Sequence, residues 1–152
     1  MDVADDETLW PDRDNPMLVI NYSKGGFVRV GGSLGTSIEQ RARKLVQLVG
    51  LDRHKARGWP DPAERDKRWQ QREEVWATAE HCLKNFKALQ ASDEAKQLVL
   101  NVAKGYGFFS IWFHLFGDHP EVRLSLIEEF AGTAIECFDN AGSPIKRPNG
   151  VI

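Results

Sequence analysis

Residues 98–116 read LVLNVAKGYGFFSIWFHLF, and this stretch decides the predicted fold because its apolar residues recur at helical spacing. We expect it to lie in one helix over 93–116 whose second half is apolar on all sides. The main apolar face consists of Leu98, Val99, Val102, Tyr106, Phe109, Phe113 and Phe116, and the opposite side of Phe108, Ile111 and Leu115. Because such a helix is normally the centre of a bundle, the sequence predicts a mainly α-helical, four-helix bundle-like domain.

A membrane-spanning helix is the alternative interpretation of the same stretch. Asn101, Lys104, His114 and two glycines inside it argue against a span, so we expect no membrane partner. The N-terminal residues MDVADDETLW lack the basic start and the apolar run of a secretory signal, which predicts a cytoplasmic protein. In that compartment Cys82 and Cys137 are expected to stay reduced.

Three more helices are expected around this central one, over 38–49, 62–90 and 119–139, followed by a C-terminal tail over 140–152. Capping boxes predict helix starts at Ser37 with Gln40, at Asp61 with Glu64 and at Asp118 with Glu121, and Ser92 provides a weaker cap. Glycines that follow the apolar periodicity, namely Gly50, Gly117 and Gly142, predict the helix ends.

A β-hairpin is expected before the first helix, within residues 17–30. Two β-prone runs, 17–22 and 27–30, flank the turn residues Ser23-Lys-Gly-Gly26. Two strands alone are marginal in water, so the hairpin must lie on the helices, pair with the C-terminal tail or add to another chain. Residues 1–16 form an acidic lead, and residues 17–152 are expected to form a single domain.

The expected helix over 62–90 changes character along its length. Its C-terminal two thirds carry a core-facing arc of Val75, Trp76, Ala79, Cys82, Leu83, Phe86 and Leu89. Projected backward, the same arc is occupied by Arg65, Arg68 and Arg72, with Trp69 beside them. Because a helix of this length spans about 43 Å, we expect its first turns to extend beyond the bundle and to expose three guanidinium groups and an indole.

This basic helix end is backed by Arg53, Lys55, Arg57, Trp59 and Lys67, which lie just before or within it. Arginines that contact phosphates and an indole that stacks on bases are typical of nucleic-acid binding. The predicted function is therefore that of a non-enzymatic interaction subunit that binds nucleic acid or an acidic protein surface. Two plainer interpretations remain open, namely a solvated helix face and a face neutralised by the acidic lead, whose 16 residues hold six acids and one arginine.

The last expected helix, over 119–139, has an acidic outer stripe that we expect to support homo- or hetero-oligomeric assembly. The stripe consists of Glu121, Ser125, Glu128, Glu129, Glu136 and Asp139, opposite a core face of Leu126, Ile127, Phe130, Ala131, Ala134 and Phe138.

A glycine-rich connection between the hairpin and the first helix supports an alternative function. Residues 31–37 read GGSLGTS, and backbone amides around Gly32, Ser33, Gly35, Thr36 and Ser37 could bind an anion at a helix N-terminus. The alternative is a small-ligand or phosphate-binding protein, or an enzyme, that uses this loop. The segment lacks the lysine of a Walker A loop and the spacing of a dinucleotide fingerprint, which favours a plain connector.

No metal site, cofactor or catalytic residue is predicted. His81, Cys82, His114, His119 and Cys137 are the available nitrogen and sulfur ligands, and their spacings match no metal motif. Cys82 and His81 are adjacent on a helix and therefore point in different directions. The paired Glu128 and Glu129 lie on a predicted solvent face without the apolar pocket that acid catalysis needs.

Overall fold

The computed structural model describes residues 7–31, 35–53 and 67–152, which form a mainly helical structure with a small antiparallel hairpin. The strands are β1 (Ile20–Ser23) and β2 (Phe27–Val30). The helices are α1 (Thr36–Leu48), α2 (Arg68–Ala88), α3 (Asp93–Tyr106), α4 (Phe109–Leu115) and α5 (Pro120–Glu129), with 3-10 turns at Pro16–Leu18 and Ile135–Cys137. None of the helices in this described part is both long and apolar enough to cross a membrane.

The predicted single helix over 93–116 is wrong, because the chain divides it into α3 and α4 at Gly107 and Phe108. Gly107 (φ 72°) and Phe108 (φ 56°) both have positive φ, which interrupts the right-handed helical repeat. The indole Nε1 of Trp112 then donates to the carbonyl oxygen of Gly107 at 2.9 Å, closing the junction. Phe108 packs against the main core, and that packing offsets the cost of its left-handed conformation. The described residues thus contain five helices, and the four-helix bundle is not confirmed.

The break changes which residues of this stretch are buried. The buried ones are Val99, Leu100, Ala103, Ile111, Trp112, Phe113 and Phe116. Leu98 and Tyr106, which were expected in the core, are 59% and 51% exposed. Val99, Phe113 and Phe116 of the predicted face are therefore buried and Val102 packs against the main core, whereas the expected burial of Leu98 and Tyr106 is wrong.

The predicted helix over 119–139 is also too long, since α5 ends at Glu129. Phe130 is extended, Gly132 has a φ of 84°, and the hydroxyl of Thr133 donates to the Phe130 carbonyl oxygen at 2.8 Å. This turn lets Phe130 and Phe138 both reach Phe109 of α4, with ring centroids at 5.4 and 6.2 Å. Aromatic packing across the turn takes the place of the expected last helical turns.

Only one of the described predicted caps forms as expected. The hydroxyl of Ser92 accepts from the backbone nitrogen of Ala95 at 3.2 Å, so this cap is confirmed. The boxes at Ser37 and Asp118 are wrong, because α1 begins after Gly35 and α5 after His119, where Pro120 occupies the first turn. The box at Asp61 lies outside the described residues.

The long helix α2 packs as its apolar arc predicts. Val75, Trp76, Ala79 and Phe86 are buried in the main core with parts of α3, α4 and α5, and Cys82 and Leu83 pack against that core. Leu89 is exposed, because the helix ends at Ala88. The helix begins at Arg68, after the non-helical Lys67, so the prediction of one continuous helix over 62–90 is wrong at its start, and residues 62–66 lie outside the described residues.

A second, smaller core joins the N-terminal segment to the rest of the chain. It contains Leu9, Val19, Ala42, Leu45 and Ile152, which come from the lead, the hairpin entry, α1 and the C-terminal segment. The side chain of Asn15 donates to the carbonyl oxygens of Cys137 and Ile145 at 2.9 and 2.8 Å. The described part of the acidic lead is therefore packed against the chain's own domain.

The hairpin forms where predicted, although its first strand starts later. Pro16–Leu18 is a 3-10 turn, because the Asn15 side chain accepts from the backbone nitrogen of Met17, and β1 begins only at Ile20. The register pairs Ile20 with Val30 and Ser23 with Phe27. Of the three expected locations the hairpin takes the first, since it lies on the helices through Tyr22 and Gly26.

Gly26 provides a test of how the hairpin docks on α2. Its φ is 72°, and a Cβ there would lie 2.7 Å from the backbone oxygen of Arg72. We expect Gly26→Ala to lower the free energy of unfolding by about 2 to 3 kcal/mol, through backbone strain and overpacking together. Gly25→Ala is the matched control, because Gly25 has a similar φ of 83° but its Cβ would be 3.6 Å from the nearest heavy atom.

Urea unfolding of both variants separates the two contributions. Gly25→Ala should show only the strain of a positive φ, about 1 to 2 kcal/mol. Equal losses at the two glycines would mean that the turn does not press against α2.

Candidate functional site

The predicted basic helix end is only partly within the described residues. Lys55, Arg57, Trp59 and Arg65 lie outside them, and so their prediction stays as it was made. Arg68 opens α2 and is exposed, whereas Trp69 is half-buried. Their predicted role in binding stays a prediction.

Arg72 differs from the expectation, because its side chain lies in the interior and is 2% exposed. Its Nη2 donates to the carbonyl oxygens of Leu51 and Arg53, at 3.2 and 2.9 Å. The chain after α1 therefore passes over Arg72 and covers it. The expected exposure of this third guanidinium group is corrected, and Arg72 instead joins α2 to residues 51–53.

Arg53 and Arg68 come together beside Gly50, just after α1. A Cβ at Gly50 would lie 3.1 Å from both Arg53 Nε and Arg68 Nη2, so the two guanidinium groups flank the same glycine. Gly50 has a φ of 69°, so the backbone nitrogen of Leu51 can donate to the carbonyl oxygen of Val46 at 2.9 Å. This turn directs the chain toward α2. We call Arg53, Arg68 and Trp69 the basic patch.

Acidic side chains of the described lead pair with α1. Lys44 donates to Glu7, and Arg41 lies 4.0 Å from Asp14 while also donating twice to the Thr8 carbonyl oxygen. At least part of the lead's negative charge is therefore used to hold the N-terminal segment on α1.

The predicted acidic stripe is divided among separate contacts. Glu129 accepts from Lys104, Glu136 accepts from Arg147 at 2.9 Å, and Glu121 lies 3.4 Å from His119. Because α5 ends at Glu129, Glu136 and Asp139 are not on the same helix as Glu121. A continuous stripe along one helix is therefore wrong, and assembly stays a prediction.

The glycine-rich segment gives a mixed picture at the N-terminus of α1. Gly32 and Ser33 lie outside the described residues, Gly35 precedes the helix with a φ of 94°, and Thr36 and Ser37 are exposed in the first turn. Glu39 lies in the same turn and already places a negative charge at the positive end of the helix dipole. The anion-binding alternative stays a prediction, and Glu39 weighs against it.

A cleft of about 240 Å³ lies among β1, α4, α5 and the C-terminal segment. The hydroxyl oxygens of Tyr22 and Ser110 are 2.9 Å apart on one wall. The His114 ring packs near the Tyr22 ring, at 6.3 Å between centroids, and the Arg123 guanidinium lies 4.0 Å over the Phe113 ring. Sequence analysis missed this cleft, since its residues come from elements that are far apart in the chain and share no local motif.

Burial shifts the pKa values of three side chains that line the cleft. Burial raises the pKa of Tyr22, with the Ser110 hydrogen bond and Arg72 acting in the opposite direction. Burial and, secondarily, the charge of Arg123 lower the pKa of His114 below its ordinary value. Burial also lowers the pKa of Arg123, which stays cationic at neutral pH because an arginine starts so high. At neutral pH, Tyr22 and His114 are therefore neutral donors beside one positive charge.

The candidate metal ligands do not converge in the described part of the chain. No group of three His, Cys, Asp or Glu side chains there could hold a metal ion. His81 instead lies 3.0 Å from the Asn85 side chain on the same helix. Burial raises the pKa of the Cys82 thiol and that of the Cys137 thiol, which keeps both protonated and weakly nucleophilic at neutral pH.

Comparison with protein-family models, with curated protein sequences and with solved structures finds no match for this chain.

Proposed function

We propose that this protein is a non-enzymatic interaction subunit that binds a polyanion, either nucleic acid or an acidic protein surface, through the basic patch. The observation that carries the proposal is the approach of the Arg53 and Arg68 guanidinium groups to the same glycine, Gly50. As a class, guanidinium groups bind phosphate and carboxylate oxygens through paired, planar N–H donors. The sequence predicts the same binding role for Lys55, Arg57, Trp59 and Arg65, which lie outside the described residues.

The start of α2 adds to the positive potential of the basic patch. Its first turn contains Arg68 and no acidic residue, and Lys67 precedes it. Basic side chains at the positive end of a helix dipole are unfavourable for the isolated helix but favour a bound anion. Trp69 follows Arg68 and is half-buried, and stacking of a nucleic-acid base on its indole would add to the binding.

Binding to a fluorescein-labelled single-stranded oligonucleotide, followed by fluorescence anisotropy at several salt concentrations, tests this proposal. The wild-type protein should bind more weakly as salt increases. In the double variant Arg53→Gln/Arg68→Gln, the slope of log affinity against log salt should decrease by about 0.7 for each lost phosphate contact. Trp69→Ala should weaken binding by about 1 to 3 kcal/mol if the indole stacks on a base.

The matched control is Lys24→Gln/Arg29→Gln, which removes two exposed positive charges from the hairpin instead. This control should leave the slope nearly unchanged. Salt-sensitive binding of polyglutamate, without binding of DNA or RNA, would assign the patch to an acidic protein surface. The proposal would be contradicted if the patch variant bound both the oligonucleotide and polyglutamate as tightly as the wild-type protein does. It would also be contradicted if the control variant lost as much affinity as the patch variant.

A further inference from the structure

We propose that the cleft lined by Tyr22, Ser110, His114 and Arg123 is a second binding site, and that its ligand is a small organic carboxylate. The site is separate in chemistry from the basic patch, because it combines one cation with neutral donors inside a confined space. It does not depend on the proposed polyanion binding.

Arg123 is a half-buried cation that lines the cleft. Within the described residues it forms no ion pair, and its Nε is buried without a hydrogen-bond partner there. Its Nη1 donates to the Gly117 carbonyl oxygen at 3.3 Å. The charge of Asp139 acts on Arg123, but within the described residues this carboxylate accepts from the backbone nitrogens of Ala141 and Ser143 instead. A half-buried cation without an ion-pair partner is partly desolvated at a cost, and an anionic ligand would relieve that cost.

Neutral hydrogen-bonding side chains line the cleft together with this charge. The hydroxyls of Tyr22 and Ser110 are bonded to each other, which leaves one of the two hydrogens free for an outside acceptor. His114 lines the same cleft and is neutral at physiological pH, so it brings one donor and no second charge. One net positive charge with several donors matches a monoanion better than a phosphate dianion.

The volume of the cleft and the side chains of its remaining walls limit which ligands fit. The cleft is smaller than usual ligand pockets, which hold about 300 to 1,000 Å³, so its ligand is a small molecule. Its other walls include the apolar side chains of Met17, Ile20, Phe113 and Pro144, together with Asn21 and Gly117. A carboxylate head would lie against Arg123, where a guanidinium can bind it with two parallel hydrogen bonds. A short apolar or aromatic body would lie against these walls.

Ligand-observed NMR titration with benzoate, with the neutral isostere benzamide and with inorganic phosphate tests this assignment. Benzoate should bind saturably and at least tenfold more tightly than either of the other two, because a hydrogen bond to a charged partner is worth about one order of magnitude or more. Arg123→Met should weaken benzoate binding at least tenfold. Arg29→Met, which changes an exposed arginine of the hairpin outside the cleft, should leave binding unchanged.

Arg123 also packs on Phe113, so its replacement could reduce folding, and a second variant keeps the test decisive. Tyr22→Phe with Ser110→Ala removes the hydroxyl pair while keeping both residues nearly the same size, and should weaken benzoate binding several-fold. Absence of saturable benzoate binding would overturn the proposal. Equal binding of benzamide would also overturn it, as would tighter binding of phosphate or unchanged affinity in the hydroxyl variant.

Discussion

Replacing Trp112 with alanine is expected to lower the free energy of unfolding by about 3 to 5 kcal/mol. Trp112 is fully buried at the centre of the main core, so the change removes a large apolar side chain and leaves a cavity. It also removes the hydrogen bond from the indole to Gly107, which closes the junction between α3 and α4. Urea unfolding followed by circular dichroism measures the loss.

Leu98→Ala and Val99→Ala are the controls that connect this result to the helix break. A continuous helix over 93–116 would bury both side chains, whereas the structure exposes Leu98 and buries Val99. We expect Leu98→Ala to change stability by less than about 0.5 kcal/mol and Val99→Ala to cost clearly more. Equal losses at Leu98 and Val99, with a small loss at Trp112, would contradict the two-helix arrangement.

Local signals in the sequence predicted those elements whose physical causes are local. The hairpin follows from the two glycines of its turn, both with positive φ, and the buried arc of α2 follows from regular apolar spacing. The break at Gly107 could not be predicted in the same way, because both halves keep an apolar character and only their phase differs. Phe108 adopts a left-handed conformation that is rare for a bulky side chain, and its packing against the main core is a tertiary contact that local sequence does not show.

At Arg72, local periodicity predicted the position on the helix but not the tertiary environment of the side chain. Arg72 lies one helical turn before Val75 and Trp76, so apolar periodicity placed it on the buried arc of α2. The expectation of exposure came from the predicted length of this helix, about 43 Å, whose first turns would extend beyond the bundle. The carbonyl oxygens of Leu51 and Arg53 are the tertiary partners that allow an arginine to be buried there. Tyr22 and Ser110 are 88 positions apart in the chain, so no sequence motif could have predicted the cleft.

Arg72→Ala is the second change with a large expected effect, about 3 to 5 kcal/mol of lost stability. The variant loses two hydrogen bonds from a charged donor and leaves the carbonyl oxygens of Leu51 and Arg53 without that donor. Gly26 packs on the backbone of the same residue, so the hairpin and the segment after α1 both depend on this point of α2.

Arg68→Ala is the matched control, because it removes the same type of side chain from an exposed position one turn earlier. It should change the free energy of unfolding by less than about 1 kcal/mol and weaken polyanion binding. Unfolding and oligonucleotide binding measured on both variants separate a structural arginine from a binding arginine. If Arg72→Ala kept its stability and lost affinity as Arg68→Ala does, then its guanidinium would belong to the binding surface, and its assignment as a buried tie between α2 and residues 51–53 would be wrong.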